Sequence, residues 1–404
     1  MPDKKKAVVP RLRFPEFRDA GPWEVKRLGE LANRITEKIG PRQLICVSIS
    51  AGIGFVSQKE KFGRDISGNQ YAHYIYLKKG QFAYNKGNSK TFPQGAVYQL
   101  RELEEVAIPN VFYAFEFKGD FVPEFFIGYF ESNFHGRQLQ RFITSSARSD
   151  GLLNIRANDF FSIILPTPGE REEQQKIADC LSSLDDLIEA EEAQLTALRE
   201  HKKGLLQQLF PREGETTPRL RFPEFRDAGE WEVRPLGTFV RHTAGNPNLI
   251  KGRLHPEPAP RRFPGFSASG QDVWLDDFEH SGHAVVVSAV GARCGRCFMA
   301  KGKWSAIANT HILFPKERRI DVRFLYAIVT RNGFWITSGS GQPFVKVRES
   351  LSQRLPLPSL EEQQKIADCL SSLDELIEVE AKRLDALKRH KKGLLQQLFP
   401  QEVE

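Results

Sequence analysis

Between residues 172 and 211 apolar side chains recur in alternating steps of four and three: Ile177, Leu181, Leu184, Ile188, Leu195, Leu198, Leu205 and Leu209. Glu191 and Lys202 fill the two gaps in the series. This period of about 3.5 residues predicts one long helix with a narrow apolar seam, of the coiled-coil kind. The series returns between residues 361 and 400 as Ile366, Leu370, Leu373, Ile377, Glu380, Leu384, Leu387, Lys391, Leu394 and Leu398. Pro166 and Pro168 precede the first run, Pro356 and Pro358 the second, and Phe210-Pro211 and Phe399-Pro400 close them. Prolines at these places stop a helix on either side. About 39 residues at 1.5 Å each make a rod of roughly 58 Å. Each seam has to be buried, and the simplest cover is the other seam. An antiparallel pair is therefore expected, in which the seam groups Glu191 and Lys202, eleven residues apart at equivalent seam positions, approach one another. The competing arrangement packs each helix on its own globular domain.

The two helical blocks, opening at Glu172 and Glu361, match at 32 of 40 positions, and all eight differences fall off the seam. A second block repeats as well. Positions 10–21 and 218–229 both read PRLRFPEFRDAG, and each copy runs on to a Trp-Glu-Val at Trp23 and Trp231. Two near-identical frames thus enclose two inserts, the first longer than the second. The inserts show little similarity to each other. A solenoid would repeat every 20–50 residues or so, at least three times, and does not fit. Simple duplication with drift should not spare the frames while rewriting the inserts. The frames therefore share a task and the inserts do different ones.

The inserts read as mixed. Leu44–Ile49, Tyr71–Leu77, Ala284–Val290 and Ala306–Phe314 are strand candidates. Pro123–Phe134 and Val322–Thr330 are helix candidates in corresponding places. Each insert then passes through a polar segment, Thr144–Leu153 or Thr337–Val345, into a strand candidate before the prolines, Phe160–Leu165 or Leu351–Leu355.

At 404 residues the chain suits two or three domains. Five cysteines, an odd and sparse set, argue against a disulfide framework and for a reducing compartment. No apolar run reaches the roughly 20 residues of a membrane span, and no apolar stretch follows the basic Met1–Lys6. The formal charge is +7. The helical blocks carry −5 and −1, so the remainder carries +13. Acidic rods holding basic globular parts is the layout expected for a partner that is a polyanion.

Several polar loops in the inserts have the chemistry to meet phosphates and base edges. In the first insert these are Asn85-Lys86-Gly87-Asn88-Ser89-Lys90, with Gln94 after it, and Arg148-Ser149 with Asn154. In the second they are Arg293 and Arg296 in a glycine-rich turn, and Ser338, Ser340 and Gln342. Taken singly, each such loop is more often plain solvated surface. Catalytic signatures do not appear. There is no GxxxxGK[ST] loop, Gly52-Ile53-Gly54 lacks the rest of a dinucleotide fingerprint, and the histidines form no triad. Cys294 and Cys297 have a zinc-like spacing but no second pair, which leaves two ordinary thiols near a strand as the simpler account.

The phrases RLRFPEF…WEV, LPxPxxxEEQQKIADCLSSLD and HKKGLLQQLFP resemble the DNA-specificity subunit of type I restriction-modification systems, across essentially the whole chain. The resemblance implies an α+β protein in which two mixed α/β target-recognition domains are joined by two long helices. Those helices would form an antiparallel coiled coil, with an internal pseudo-twofold repeat. It divides the chain into recognition domain 1 (1–171), spacer helix 1 (172–211), recognition domain 2 (212–360) and spacer helix 2 (361–404). Each domain would read one half of an asymmetric bipartite site in double-stranded DNA. Two methyltransferase subunits and two restriction/translocase subunits would be partners in the cytoplasm, with no membrane. S-adenosylmethionine, ATP and Mg would belong to those partners, leaving this chain without cofactor, metal or catalytic residue. Asn85–Lys90 with Phe92–Ala96, Ser340–Phe344 and Arg148–Asn154 resemble the family's loop segments and are carried over as candidate DNA contacts. Two other readings remain at this point: a self-contained methyltransferase with an unfamiliar pocket, and a scaffold whose basic inserts hold protein or RNA.

Overall fold

The computed structural model of the chain describes residues 8–50, 52–63, 68–87, 92–143, 152–316, 319–339 and 341–400. Two helices of 39 residues, Arg171–Leu209 and Leu360–Leu398, match the two heptad runs. The chain divides into two compact units, Met1–Glu191 with Arg383–Glu404, and Glu192–Lys382. Each unit therefore holds the start of one long helix and the end of the other, and does not follow the linear blocks.

Within each unit those two helix segments run antiparallel, and every seam position of the two series is buried or half-buried. In the first unit Lys391 bridges Asp185 at 2.5 Å and Glu131 at 2.6 Å. In the second unit Lys202 bridges Asp374. The repeat maps Asp185 onto Asp374 and Lys202 onto Lys391, so the frame makes one contact twice. Glu191, buried, pairs with Arg383 at 3.0 Å. Glu191 and Lys202 thus take partners other than each other, unlike what the spacing suggested. The register sets Lys391 against Asp185, and six residues at 1.5 Å place Glu191 about 9 Å further along the helix.

The repeated PRLRFPEF block anchors the start of each long helix. Arg13 grips Glu173 through two parallel bonds of 2.7 and 2.6 Å, and both side chains are buried. Arg13 also donates to the Ala20 carbonyl, and the Trp23 indole donates to Glu173 at 3.2 Å. Arg221 repeats the grip on Glu362 at 2.8 and 2.7 Å. The helix ends are anchored too. Leu12 donates its backbone N–H to Gln397 in the first unit, as Leu220 does to Gln208 in the second. Phe399 lies among Trp23, Phe125 and Tyr129, with ring centroids 4.6–6.4 Å away. Phe210 takes the same place against Trp231 and Phe324.

The inserts share a sheet that their sequences do not announce. In the first unit the strand order is Ala32–Ile35, Tyr113–Phe117, Phe82–Asn85, Ala96–Gln99, all antiparallel. In the second it is Val240–Ala244, Thr310–Pro315, Ala284–Ser288, Cys297–Ala300, again antiparallel. A short helix follows the corresponding strand in each, Pro123–Glu131 and Val322–Val329, and buries its aromatic and aliphatic face under the frame. The remaining strands differ. The first unit adds two antiparallel pairs, and the second adds a separate four-stranded sheet around Phe263–Ser267.

Four expected strands are redrawn. Tyr71–His73 belongs to a 3-10 turn and only Ile75–Lys78 is extended. Ala306–Phe314 is two strands, broken where Asn309 takes a positive φ of 65°. Phe160–Leu165 and Leu351–Leu355 each begin as the end of a short helix, and the strands are Ile164–Thr167 and Arg354–Leu357. Those strands pair with Glu24–Arg27 and Glu232–Pro235 just after the anchor block. A two-stranded pair leaves one edge of each strand open, so Pro166 and Pro356 are tolerated there.

Candidate nucleic-acid interface

The hairpin between Phe82–Asn85 and Ala96–Gln99 carries the first polar loop. Asn85 is committed to shaping it: its Oδ1 accepts from the Gly87 N–H at 2.9 Å and its Nδ2 donates to the Ile49 carbonyl at 3.2 Å. Lys86 lies over the Tyr113 ring, its Nζ 3.4 Å from the phenol oxygen. The loop meets the second candidate segment directly. Gly87 bridges Leu152, and the Leu153 N–H donates to the Lys86 carbonyl at 2.9 Å. Tyr113 ties the junction from below, donating to the Ile155 carbonyl at 2.8 Å. Asn154, half-buried, sits between those ties. Asn88, Ser89, Lys90, Arg148 and Ser149 lie outside the described residues.

The second unit builds the same junction with other residues. The hairpin between Ala284–Ser288 and Cys297–Ala300 carries exposed Arg293 and Arg296, the latter 5.6 Å from the Phe298 ring centroid. Val290 bridges Phe344, the Gly291 N–H donates to the Pro343 carbonyl at 2.7 Å, and the Val345 N–H donates to the Ala289 carbonyl at 2.8 Å. Ser338 closes the partner loop by exchanging bonds with Phe344, its hydroxyl accepting at 3.0 Å. Gln342 is exposed at the tip, and Ser340 lies outside the described residues. In each unit the structure thus joins two candidate segments that stand far apart in the sequence.

Residues the sequence did not single out complete these surfaces. Arg34 lies over Tyr113 from the neighbouring strand, 5.7 Å from the ring centroid. Among the described residues none of Arg34, Lys86, Arg293 and Arg296 is paired with a carboxylate. Unpaired cations beside polar loops leave charge available for phosphate oxygens. At the place of Arg34 and Tyr113 the second unit has His242 and His311, whose Nε2 and Nδ1 are 3.1 Å apart. Burial and the neighbouring imidazole hold His311 down at about 4, and burial with the Arg348 charge lowers His242. Both rings are therefore neutral near pH 7, and one donates to the other. Asn133 and Gln140 bond the Gln94 side chain and His135 lies against the Gly95 carbonyl, and no local pattern marks them as special.

Cys297 is buried on its strand, donates weakly to carbonyls and accepts from the Trp335 indole at 3.3 Å. Burial pushes its thiol up to about 12. A zinc ligand must be a thiolate, so this environment suits a packed thiol. Among the described residues no group of three or more His, Cys, Asp or Glu could hold a metal ion, and no helix is long and apolar enough to cross a membrane.

The family model of the type I restriction modification DNA specificity domain matches residues 20–200 and 275–389. The type I restriction enzyme MjaVIII specificity subunit of Methanocaldococcus jannaschii is 24% identical over 292 residues, covering 64% of this chain and 67% of its own length. The S subunit of the type I restriction-modification system from M. genitalium superposes with a TM-score of 0.64 at 16% identity, over 97% of this chain and 99% of that one. A chain from a structure of type I restriction-modification complex assembly and conformational transition gives 0.50 at 16% identity, over 93% and 97%.

Proposed function

The chain belongs to the type I restriction-modification DNA specificity family, and from that premise we propose that each unit reads one half of an asymmetric, split duplex site. The observation that carries this is the pair of loop junctions. Two near-identical frames hold the same sheet and the same two-loop junction, yet the side chains at the junctions differ completely. One unit offers Lys86, Gln94 and Asn154, the other Arg293, Arg296, Ser338 and Gln342. A common scaffold with different readers suits two different half-sites rather than a palindrome. Recognition is this chain's part. Methyl transfer, ATP hydrolysis and cleavage, with S-adenosylmethionine, ATP and Mg, fall to two methyltransferase and two restriction/translocase subunits that dock on it in the cytoplasm. The duplicated frame suits two copies of one partner, since it presents the same residues twice. Exposed Leu187 and Leu376, equivalent under the repeat, are examples.

The test is a genome-wide map of N6-methyladenine with and without the gene, in cells carrying the complete system. One split motif should lose methylation when the gene is removed. Replacing residues 22–165 by another family member's insert should change one half of the motif and leave the other intact. A change in both halves, or in neither, would refute the assignment of one half-site to each unit.

A further inference from the structure

The Phe92–Gly95 turn of the first unit is held far more tightly than a surface turn requires. Tyr84 donates its hydroxyl to the Gln94 carbonyl at 2.6 Å. His135, fully buried, places Nε2 3.4 Å from the Gly95 carbonyl. Gly95 has a φ of +82°, and a Cβ there would lie 2.5 Å from the Asn85 carbonyl oxygen and 2.7 Å from the Tyr84 ring. Only glycine lets the turn come this close.

The Gln94 side chain is fixed as well. Its Oε1 accepts from Asn133 Nδ2 at 3.1 Å, and its Nε2 donates to Gln140 Oε1 at 2.7 Å. Asn133 and Gln140 flank the short helix Phe134–Leu139, two turns apart and so on one face. Asn133 reaches its place through a left-handed φ of 55°. A half-buried glutamine beside a polar loop needs none of this for stability. Two amides holding one carboxamide, on a turn itself pinned by Tyr84 and His135, describe a preorganised recognition element.

We propose that Gln94 is a base-reading residue selecting adenine, with Gln140 and Asn133 as its positioning residues; this rests on the reading that the loop junction faces DNA. A carboxamide has two N–H donors and two acceptor lone pairs. Asn133 uses one lone pair and Gln140 one N–H. One donor and one acceptor remain on the same carboxamide plane. Adenine alone offers the complement in the major groove, an acceptor at N7 and a donor at N6. Guanine offers two acceptors, cytosine one donor, and thymine one acceptor beside a methyl group.

The experiment maps methylated motifs in cells with the complete system, carrying wild type, Gln94→Ala, Gln94→Glu or Gln140→Ala. The expected result is that one adenine in one half-site becomes optional in Gln94→Ala. Its preference should fall from roughly 5- to 150-fold to near parity, while the other half-site is unchanged. Gln94→Glu, which has no N–H, should disfavour that adenine. Gln140→Ala should relax the same position and no other, which loss of stability alone would not do. An unchanged motif in Gln94→Ala would overturn the proposal while leaving the split-site reading in place. So would a uniform loss of methylation with the motif intact, the sign of a contact to the DNA backbone. Absence of any split motif with the wild-type chain would overturn both.

Discussion

His135 shows how a single buried ring couples the candidate surface to solution conditions. Its site is apolar and aromatic, with Tyr84 and Phe130 against the ring. Burial lowers its pKa to about 4 despite the Gly95 carbonyl, against about 6.5 in an unfolded chain. Between those values the unfolded chain binds a proton that the folded chain refuses. The associated stability is complete above about pH 6.5 and is lost as pH falls toward 4, by up to about 3 kcal/mol. Calorimetry from pH 7.5 to 4.5 should show a steeper loss of Tm in wild type than in His135→Gln. Equal slopes would mean that the ring titrates normally. At this scale the sequence exposed some of the site and hid the rest. Amide, hydroxyl and cationic runs announce themselves by composition. The partners that fix them do not: Asn133 and Gln140 look like ordinary residues of a helix end. Tyr113 and Arg34 meet at the junction only because the strands Ala32–Ile35 and Tyr113–Phe117, distant in sequence, pair in the sheet.

The frame solves a problem that belongs to whole elements: seating unlike inserts in like supports. Part of its grip on the inserts is on atoms every sequence has. Gln174 accepts from the Val122 backbone N–H and donates to the Pro168 carbonyl, at 3.0 and 3.1 Å. Gln363 repeats this with Asp321 and Pro358, at 3.0 Å each. Each glutamine thus satisfies an orphan donor at the start of an insert helix, whatever side chain stands there. Side-chain packing is the variable part. Gly128 lies so close to Phe399 that a Cβ would come within 2.3 Å of its ring, and Phe125 meets that ring at a tilt of 38° where Phe324 stacks on Phe210 at 25°. Phe399→Ala should therefore cost the first unit about 3–5 kcal/mol, and Phe210→Ala should cost the second a similar amount. Denaturant melts followed by the hydrogen exchange of each unit's own amides should shift. Glu173→Gln leaves buried Arg13 without its counter-charge and should destabilise the first unit by about 3–5 kcal/mol. A smaller loss in the double variant with Arg13→Met would identify the uncompensated charge as the cause. The long helices were legible because a seam repeated over ten positions outweighs local noise. The inserts were less so. Their strands are short, and helix and strand candidates such as Phe160–Leu165 share one apolar run. A common sheet built from dissimilar residues leaves no pattern to match.

The proposed split-site reading assigns the two long helices the task of setting the distance between half-sites. Removing one heptad from each shortens a helix by about 10.5 Å, the rise of roughly three base pairs at 3.4 Å each. The cut belongs between Asp185 and Lys202 in the first helix and between Asp374 and Lys391 in the second. Both acid–lysine bridges are then retained, and removing a full heptad from each seam keeps its apolar side facing inward. Three base pairs at about 10.5 per turn also rotate one half-site by roughly 100° relative to the other. The shortened chain should therefore either methylate sites with a shorter spacer or lose methylation, with each half-site's bases unchanged wherever methylation persists. Mapping N6-methyladenine with the shortened chain in the complete system separates these results from a third. Methylation of the original motif with its original spacer would show that the helices do not set the distance.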